Sequence, residues 1–400
     1  MLTIALCVSF YKKHHRIYDS FILEYIWIDG RGNLRSKYRT AYPKFKSCTD
    51  GGYNYIPVED WNCDGSSTHQ TSTEDSEISE VTLIPVAHYA SPFFEPGRAF
   101  LILCHTYRTD GRPTETNFRH DAANVFETST SHYLDPWFSI KQDYFIMHPQ
   151  GTQVSDKPLL FSQHEEAAPR ASSCRFVPEP QGDYYCGVGT QTVLLRKLAE
   201  KHYEYCLIVG IKISGINAEV APNQWKFQIG PCSAISVGDE LWVARYILQK
   251  LGEDFGVFIS FKPKPIPNQW NGGGLHTNFS TEESRDSKHQ SGLKCIYKYI
   301  DRLSKKHAEH IRVYGDNTQR FVGGGPCETS DYHTFSYAVG DRGASIRIPT
   351  SALKAGCGYL EDRRPASDAD PYRVIAAIFT TACLNHKDKD KDKDHTNQNE

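Results

Sequence analysis

PKPIPNQWNGGGLHTNFS, Pro263 to Ser280, is the stretch on which the reading of this chain turns. Its spaced prolines fix an extended approach, because a residue before proline is held out of helical backbone. Three successive glycines, Gly272 to Gly274, then remove side chains from a length of backbone, which lets it pass close to a bound ligand. His276, a potential metal ligand or hydrogen-bonding group, follows at once. The pattern predicts a surface loop over Asn271 to Gly274 and a strand that begins at His276. A flexible hairpin tip with a structural histidine is the plainer alternative.

Outward from this segment, strand and helix patterns interleave. Gln224 to Ile229 and Gly256 to Phe261 read as strands, as does Pro136 to Met147, on which Trp137, Ser139, Lys141, Asp143 and Phe145 share one face. Thr190 to Val209, Val237 to Leu251 and Leu293 to Ile311 carry apolar residues at helical spacing and predict amphipathic helices packed on a sheet. Near the start, Glu24 to Arg39 predicts a hairpin with one covered face around an Asp-Gly turn. There is no regular βαβ period, so the expected class is α+β. The expected divisions are a divergent N-terminus (1–19), a small β-rich domain (20–105), a larger domain (106–385) and a disordered charged tail (386–400) built on KDKDKDKD. Gly151 to Gly182 is expected to form a long surface loop.

Composition narrows the functional classes. With 400 residues, 39% hydrophobic, the chain can bury a full core. A net charge of −3 from 45 basic and 48 acidic residues offers no basic stripe for nucleic acid. The 12 cysteines form no CxxC pair, so mostly free, buried thiols and a reducing compartment are expected. Leu2 to Phe10 is apolar but too short to span a bilayer and follows no basic residue. The expectation is a cytoplasmic protein with neither membrane nor nucleic acid as a partner.

Four polar motifs hold the chemistry-bearing residues: WNCDGSS (Trp61 to Ser67), NAEVAPNQWKFQIGP (Asn217 to Pro231), the His276 loop, and GYLEDRRP (Gly358 to Pro365). Carboxylates with an imidazole suit hard divalent cations, and arginine forks suit polyphosphate. Each motif taken alone is equally compatible with solvated ion pairs. In order along the chain, WNCDGSS, DYYCGVG, GINAEVAPNQW, FQIGPC, GDELWVARYIL, DFGV, PKPIP, NGGGLHTNFST, ASIRIP and GYLEDRRPAS resemble the eukaryotic-type glutamine synthetase family from about Tyr25 to Leu384.

The resemblance implies a β-grasp domain followed by a catalytic domain with a curved antiparallel sheet. It also implies ligation of ammonia to glutamate by way of γ-glutamyl phosphate, with ATP and Mg²⁺ or Mn²⁺. Two stacked pentameric rings are implied, the small domain of one subunit completing its neighbour's site. By matching motif positions, Asp64 would bind ammonium and remove its proton, acting in trans, and Glu328 would close over the intermediate. Trp270, Asn271, Arg342, Arg363 and Arg364 would serve glutamate. Trp137, Asn278, Ser280, Arg285, Arg347 and Tyr359 would lie on the nucleotide side, although Trp137 is equally readable as core. Asp143, Glu219, His276 and Glu361 would ligate metal.

The departures fall on that metal set. Lys141 and Lys226 stand where the family pattern has glutamates. Each exchange moves the site by two charge units, and beside a divalent ion this turns attraction into repulsion worth several kcal/mol even at an effective dielectric of about 20. Cys327 replaces the histidine before Glu328, and Gly323 to Pro326 makes that flap longer and richer in glycine. Two outcomes follow for function: ligation at reduced turnover with ammonium groups supplying charge, or a catalytically silent scaffold or ligand-binding protein.

Overall fold

The computed structural model describes residues 4–7, 18–46, 53–71, 79–147, 181–189, 195–266, 270–287, 291–316 and 333–384. The charged tail, all but the last two residues of the 151–182 loop, and the flap with Cys327 and Glu328 lie outside the described residues. Among the described residues, eight strands come before the first helix: β1 (Ile4–Cys7), β2 (Phe21–Ile28), β3 (Leu34–Ala41), β4 (Lys44–Lys46), β5 (Tyr53–Val58), β6 (Trp61–Asp64), β7 (Glu80–Ala90) and β8 (Ala99–Arg108). They form a small sheet in the order β1-β5-β4 and a five-stranded sheet in the order β3-β2-β8-β7-β6.

The expected hairpin is β2–β3, paired in register from Phe21↔Ala41 to Ile28↔Leu34. Asp29 closes its turn, accepting from Arg31 N at 2.8 Å and Asn33 N at 2.9 Å. The expectation of one covered face is corrected: β2 is covered on both, with Leu23, Tyr25, Ile26 and even Glu24 fully inaccessible. The cause is tertiary. One face lies on the small-sheet core with Phe100 and Ile102, while Ile26 joins the main core and Glu24 accepts from Lys250 Nζ at 2.8 Å.

The larger part contains α1 (Phe118–Phe126), α2 (Ser129–Leu134), β9 (Trp137–Met147), α3 (Arg196–Ile208), β10 (Ile213–Ala218), β11 (Gln224–Ser233), α4 (Ser236–Asp254) and β12 (Phe258–Ser260). It continues through β13 (Leu275–Ser280), α5 (Glu282–Arg285), α6 (Gly292–Lys305), α7 (His307–Ile311), β14 (Tyr337–Val339), β15 (Ile346–Ile348), α8 (Thr350–Ala355), β16 (Leu360–Asp362) and α9 (Pro371–Phe379). Its sheet runs β10-β11-β9-β13-β16-β15-β14, with β12 added on β9. All but the parallel β14–β15 pair are antiparallel, so the class is α+β as expected.

Helices cover one face of this sheet. On α4 the expected amphipathic stripe is corrected: Val237 to Leu248 is buried on every side, because sheet, α3 and α9 enclose it. Polar groups inside that packing are paired, as burial requires. Arg119 on α1 grips Asp239 of α4 through Nε at 2.7 Å and Nη2 at 2.8 Å, and Tyr372 of α9 donates to the same carboxylate at 2.6 Å. Among the described residues, no helix covers the opposite face of the sheet over β10, β11, β9, β13 and β16. That is where the cleft lies.

Candidate active site

Strand alternation on β9 makes the floor of the cleft. Lys141 and Asp143 face the open side while Gln142 points into the helical layer, because successive side chains leave a strand on opposite faces. Gln142 is locked there: its Oε1 accepts from Arg245 Nε at 2.9 Å and Nη2 at 2.6 Å, and its Nε2 donates to Ser367 O at 2.9 Å. Cross-strand register then brings Lys226 of β11 opposite Asp143, and His276 of β13 opposite Lys141. Glu361 of β16 lies opposite Asn278 of β13, two residues from His276.

The resulting cleft has a volume of about 470 Å³ and is lined by Lys141, Asp143, Glu219, Lys226, Asn271, His276, Arg342, Arg347, Glu361 and Arg363, with Asn217, Tyr185 and Gln228 at its sides. Both lysines are turned onto carboxylates. Lys226 Nζ lies 2.6 Å from Glu219 Oε1 and 3.4 Å from Asp143 Oδ1. Burial works against its charge, yet Asp143 and Glu219 together outweigh that and hold the ammonium above its ordinary range. The two carboxylates are themselves braced, Asp143 Oδ2 by Gly274 N at 2.8 Å and Glu219 Oε1 by Asn217 Nδ2 at 3.0 Å.

Glu361, fully buried, is shared by three cations: Lys141 Nζ at 2.6 Å, Arg347 Nε at 2.5 Å and Arg363 Nη1 at 3.5 Å. Burial alone would raise its carboxyl, but Lys141, Arg363 and Arg347 more than reverse this and bring it down to about 2. Lys141 is drawn below its usual value, by burial first and by crowding from Arg347 and Lys226, against the pull of Glu361. These directions agree, since one carboxylate divided among three cations stays ionised while each cation receives only part of its charge.

The loop over Asn271 to Gly274 corrects the expectation of a surface loop: Asn271, Gly273 and Gly274 are buried. Asn271 Nδ2 donates to Gln224 Oε1 at 2.8 Å, and a Cβ added to Gly273 would lie 2.7 Å from Ser367 Oγ. The glycines let this backbone press onto the floor of the cleft, and the strand after it begins at Leu275. Trp270 packs beside Phe145, Met147 and Ala221. His276 faces Arg363, its Nδ1 3.4 Å from Nη1.

Other expected residues fall elsewhere. Arg364 leaves β16 on the opposite face from Arg363 and is outside the cleft lining, bound to Asp362 through Nη2 at 2.6 Å and Nε at 2.9 Å and stacked on Tyr314 and Phe335. Trp137, Ser280 and Arg285 gather further along β9 and β13, the guanidinium 4.1 Å over the Trp137 ring and 3.1 Å from Ser280 Oγ. Trp137 is 40% exposed, so it is not core. Asn278 is buried on the same strand as Ser280, and Tyr359 is partly exposed just before β16. Asp64 ends β6 on the five-stranded sheet, outside the cleft lining, and Ser66 and Ser67 hydroxyl donors at 2.6 Å lower its carboxyl to about 2. Sequence reasoning singled out neither Asn217 nor Gln228; both lie inside quoted motifs and alternate with Glu219 and Lys226 at strand spacing, which was the available signal.

The donor set does not fit a divalent cation as it stands. Among the described residues, no group of three or more His, Cys, Asp or Glu side chains is placed to hold a metal ion. Asp143, Glu219 and Glu361 already spend their charge on ammonium and guanidinium groups. Eight described cysteines are free thiols, four of them buried, and no described helix is long and apolar enough to cross a membrane.

Residues 115–385 match the sequence profile of the glutamine synthetase catalytic domain. The chain is 47% identical over 365 residues to the glutamine synthetase of Tuber borchii, covering 91% of this chain and 92% of that one. It is 45% identical to those of Emericella nidulans (91% and 93% covered) and Saccharomyces cerevisiae (90% and 89%). Its fold matches the Plasmodium falciparum glutamine synthetase structure with a TM-score of 0.69 at 18% identity, over 91% of this chain and 72% of the other. By extent of matched sequence and by fold, the chain belongs to the glutamine synthetase family.

Proposed function

We propose that this chain keeps a cleft for glutamate and ATP and joins ammonia to glutamate's side-chain carboxylate, by way of γ-glutamyl phosphate, far more slowly than a carboxylate-lined site would. The observation that carries this is the pairing of Lys141 with Glu361 and of Lys226 with Glu219, each at 2.6 Å. An ammonium group cancels anionic repulsion but cannot polarise a phosphoryl oxygen as a Lewis acid or bridge two oxygens. Mg²⁺ or Mn²⁺ therefore enters as the companion of ATP, a substrate. Arg347 and Arg363 would face phosphate, Arg342 both substrate and phosphate, and Asn271 with Trp270 the glutamate. Asp64, from the five-stranded sheet of a neighbouring subunit in a double ring of pentamers, would take the ammonium proton, and Glu328 would cover the intermediate. The β-rich part (20–105) and the larger part (106–385) would act as the two domains of such an assembly, in the cytoplasm.

A second reading, a scaffold that binds ligand without turnover, is favoured by the crowding of three cations on Glu361, which leaves that carboxylate no charge for a metal. One experiment separates them. Glutamine formation from glutamate, ammonium and MgATP is measured for the natural chain and for the Lys141→Glu/Lys226→Glu double variant. The expected result is a rise of at least about 100-fold in the variant, equivalent to roughly 2.7 kcal/mol of transition-state stabilisation. Slow but measurable turnover in the natural chain selects ligation, and none selects the scaffold. Equal, rapid rates for both proteins refute the proposal.

A further inference from the structure

Charge is unevenly divided along the cleft. At one end Lys226 lies between Asp143 and Glu219, one cation for two carboxylates. At the other, Lys141, Arg347 and Arg363 converge on Glu361, Arg363 also feeling the charge of Asp143, and Arg342 lines the cleft too, its carbonyl accepting from Arg363 Nε at 3.0 Å. Among the described residues, four cations against one carboxylate give this end a charge of three positive, and one against two gives the other end one negative. Lys141 and Asp143 are two residues apart on β9, so the ends are separated by only about 7 Å. Moreover, an ammonium has three N–H donors and a guanidinium five, whereas the contacts to Glu361 engage Lys141 once and Arg347 through Nε.

We infer that the Glu361 end of the cleft binds a phosphate-type oxyanion directly on Lys141, Arg347, Arg363 and Arg342, with no divalent cation between ligand and protein. The inference rests on the reading above in which lysine ammonium groups occupy the site as its cations. It concerns binding, so it is measured without turnover and can fail or stand separately from ligation. A concave site focuses the field of several like charges, and arginine forks match phosphate oxygens in pairs. The opposite, negative end repels the same ligand, which fixes where along the cleft the anion sits.

The test is calorimetric titration of the full chain with inorganic phosphate and, separately, with ADP, each in EDTA and in excess Mg²⁺. Binding of either in EDTA, unchanged within about threefold by Mg²⁺, is the expected result. Phosphate binding assigns the site to the free ion, and ADP binding alone assigns it to a nucleotide's phosphates. Lys141→Met should weaken binding at least tenfold, and Lys141→Glu should make what remains dependent on Mg²⁺. Lys201→Gln, exposed on α3 and outside the cleft lining, should change phosphate affinity by less than about threefold. Binding that requires Mg²⁺ in the natural chain, or no binding of either ligand, overturns the proposal whatever the variants do. Equal affinity of a folded Lys141→Met protein overturns the assignment to Lys141.

Discussion

Lys226 is a side chain whose removal costs more than its presence contributes. It lies between two carboxylates in a site shielded from solvent, with its Nζ 2.6 Å from Glu219. Lys226→Met would remove the cation between Asp143 and Glu219, and breaking a buried pair from one side is penalised by about 3–5 kcal/mol because the residual charge stays desolvated. Urea unfolding at neutral pH should register a loss of that order, and Lys226→Arg should restore most of it. An unchanged midpoint for Lys226→Met would mean that the ammonium is not the counter-ion of this pair. The same logic explains why Lys226 can persist between Asp143 and Glu219: it brings the positive charge those neighbours require.

At the level of elements, the α4–α9 crossing fixes the helical layer beneath the cleft. Gly238 lies in the first turn of α4, where alanine would ordinarily stabilise a helix by up to about 1 kcal/mol. Here a Cβ would come within 2.5 Å of the Tyr372 ring, which cannot swing aside because its hydroxyl is bound to Asp239 at 2.6 Å. Overpacking of this kind costs about 1–3 kcal/mol, so the sign reverses and Gly238→Ala should lower the thermal midpoint. A raised midpoint would show that α9 can slide. The crossing was not legible in the periodic pattern of Val237 to Leu251, since a helix enclosed on all sides and one with a single covered stripe share the same apolar positions.

Across the whole molecule, stability should depend on pH through groups far from the cleft. Burial lowers His202 and His310 to about 4 from 6.5, so both are neutral in the folded protein over a range where the unfolded chain takes up protons. The unfolded state therefore binds more protons between about pH 6.5 and 4, and stability falls as pH falls through that window, by up to about 1.4 kcal/mol per pH unit per histidine. Asp370, which burial pushes up to about 6 from 3.8, works against this by holding a proton in the folded state. Burial likewise lowers His88 and His105 and raises Glu240 and Asp368, so four histidines stand against three carboxyls and the urea midpoint should be lower at pH 5 than at pH 7. Equal midpoints would contradict the burial of those histidines. Ordered motifs from WNCDGSS to GYLEDRRPAS were enough for the sequence alone to point to the family and the α+β class, because residue identity and order are one-dimensional facts. Only the tertiary structure decided where those charges went: Lys141 onto a carboxylate 220 residues away, Arg363 into the cleft while Arg364 turned from it, and the glycine loop pressed inward. Register between strands distant in the chain sets those contacts, and it depends on packing that no local pattern encodes.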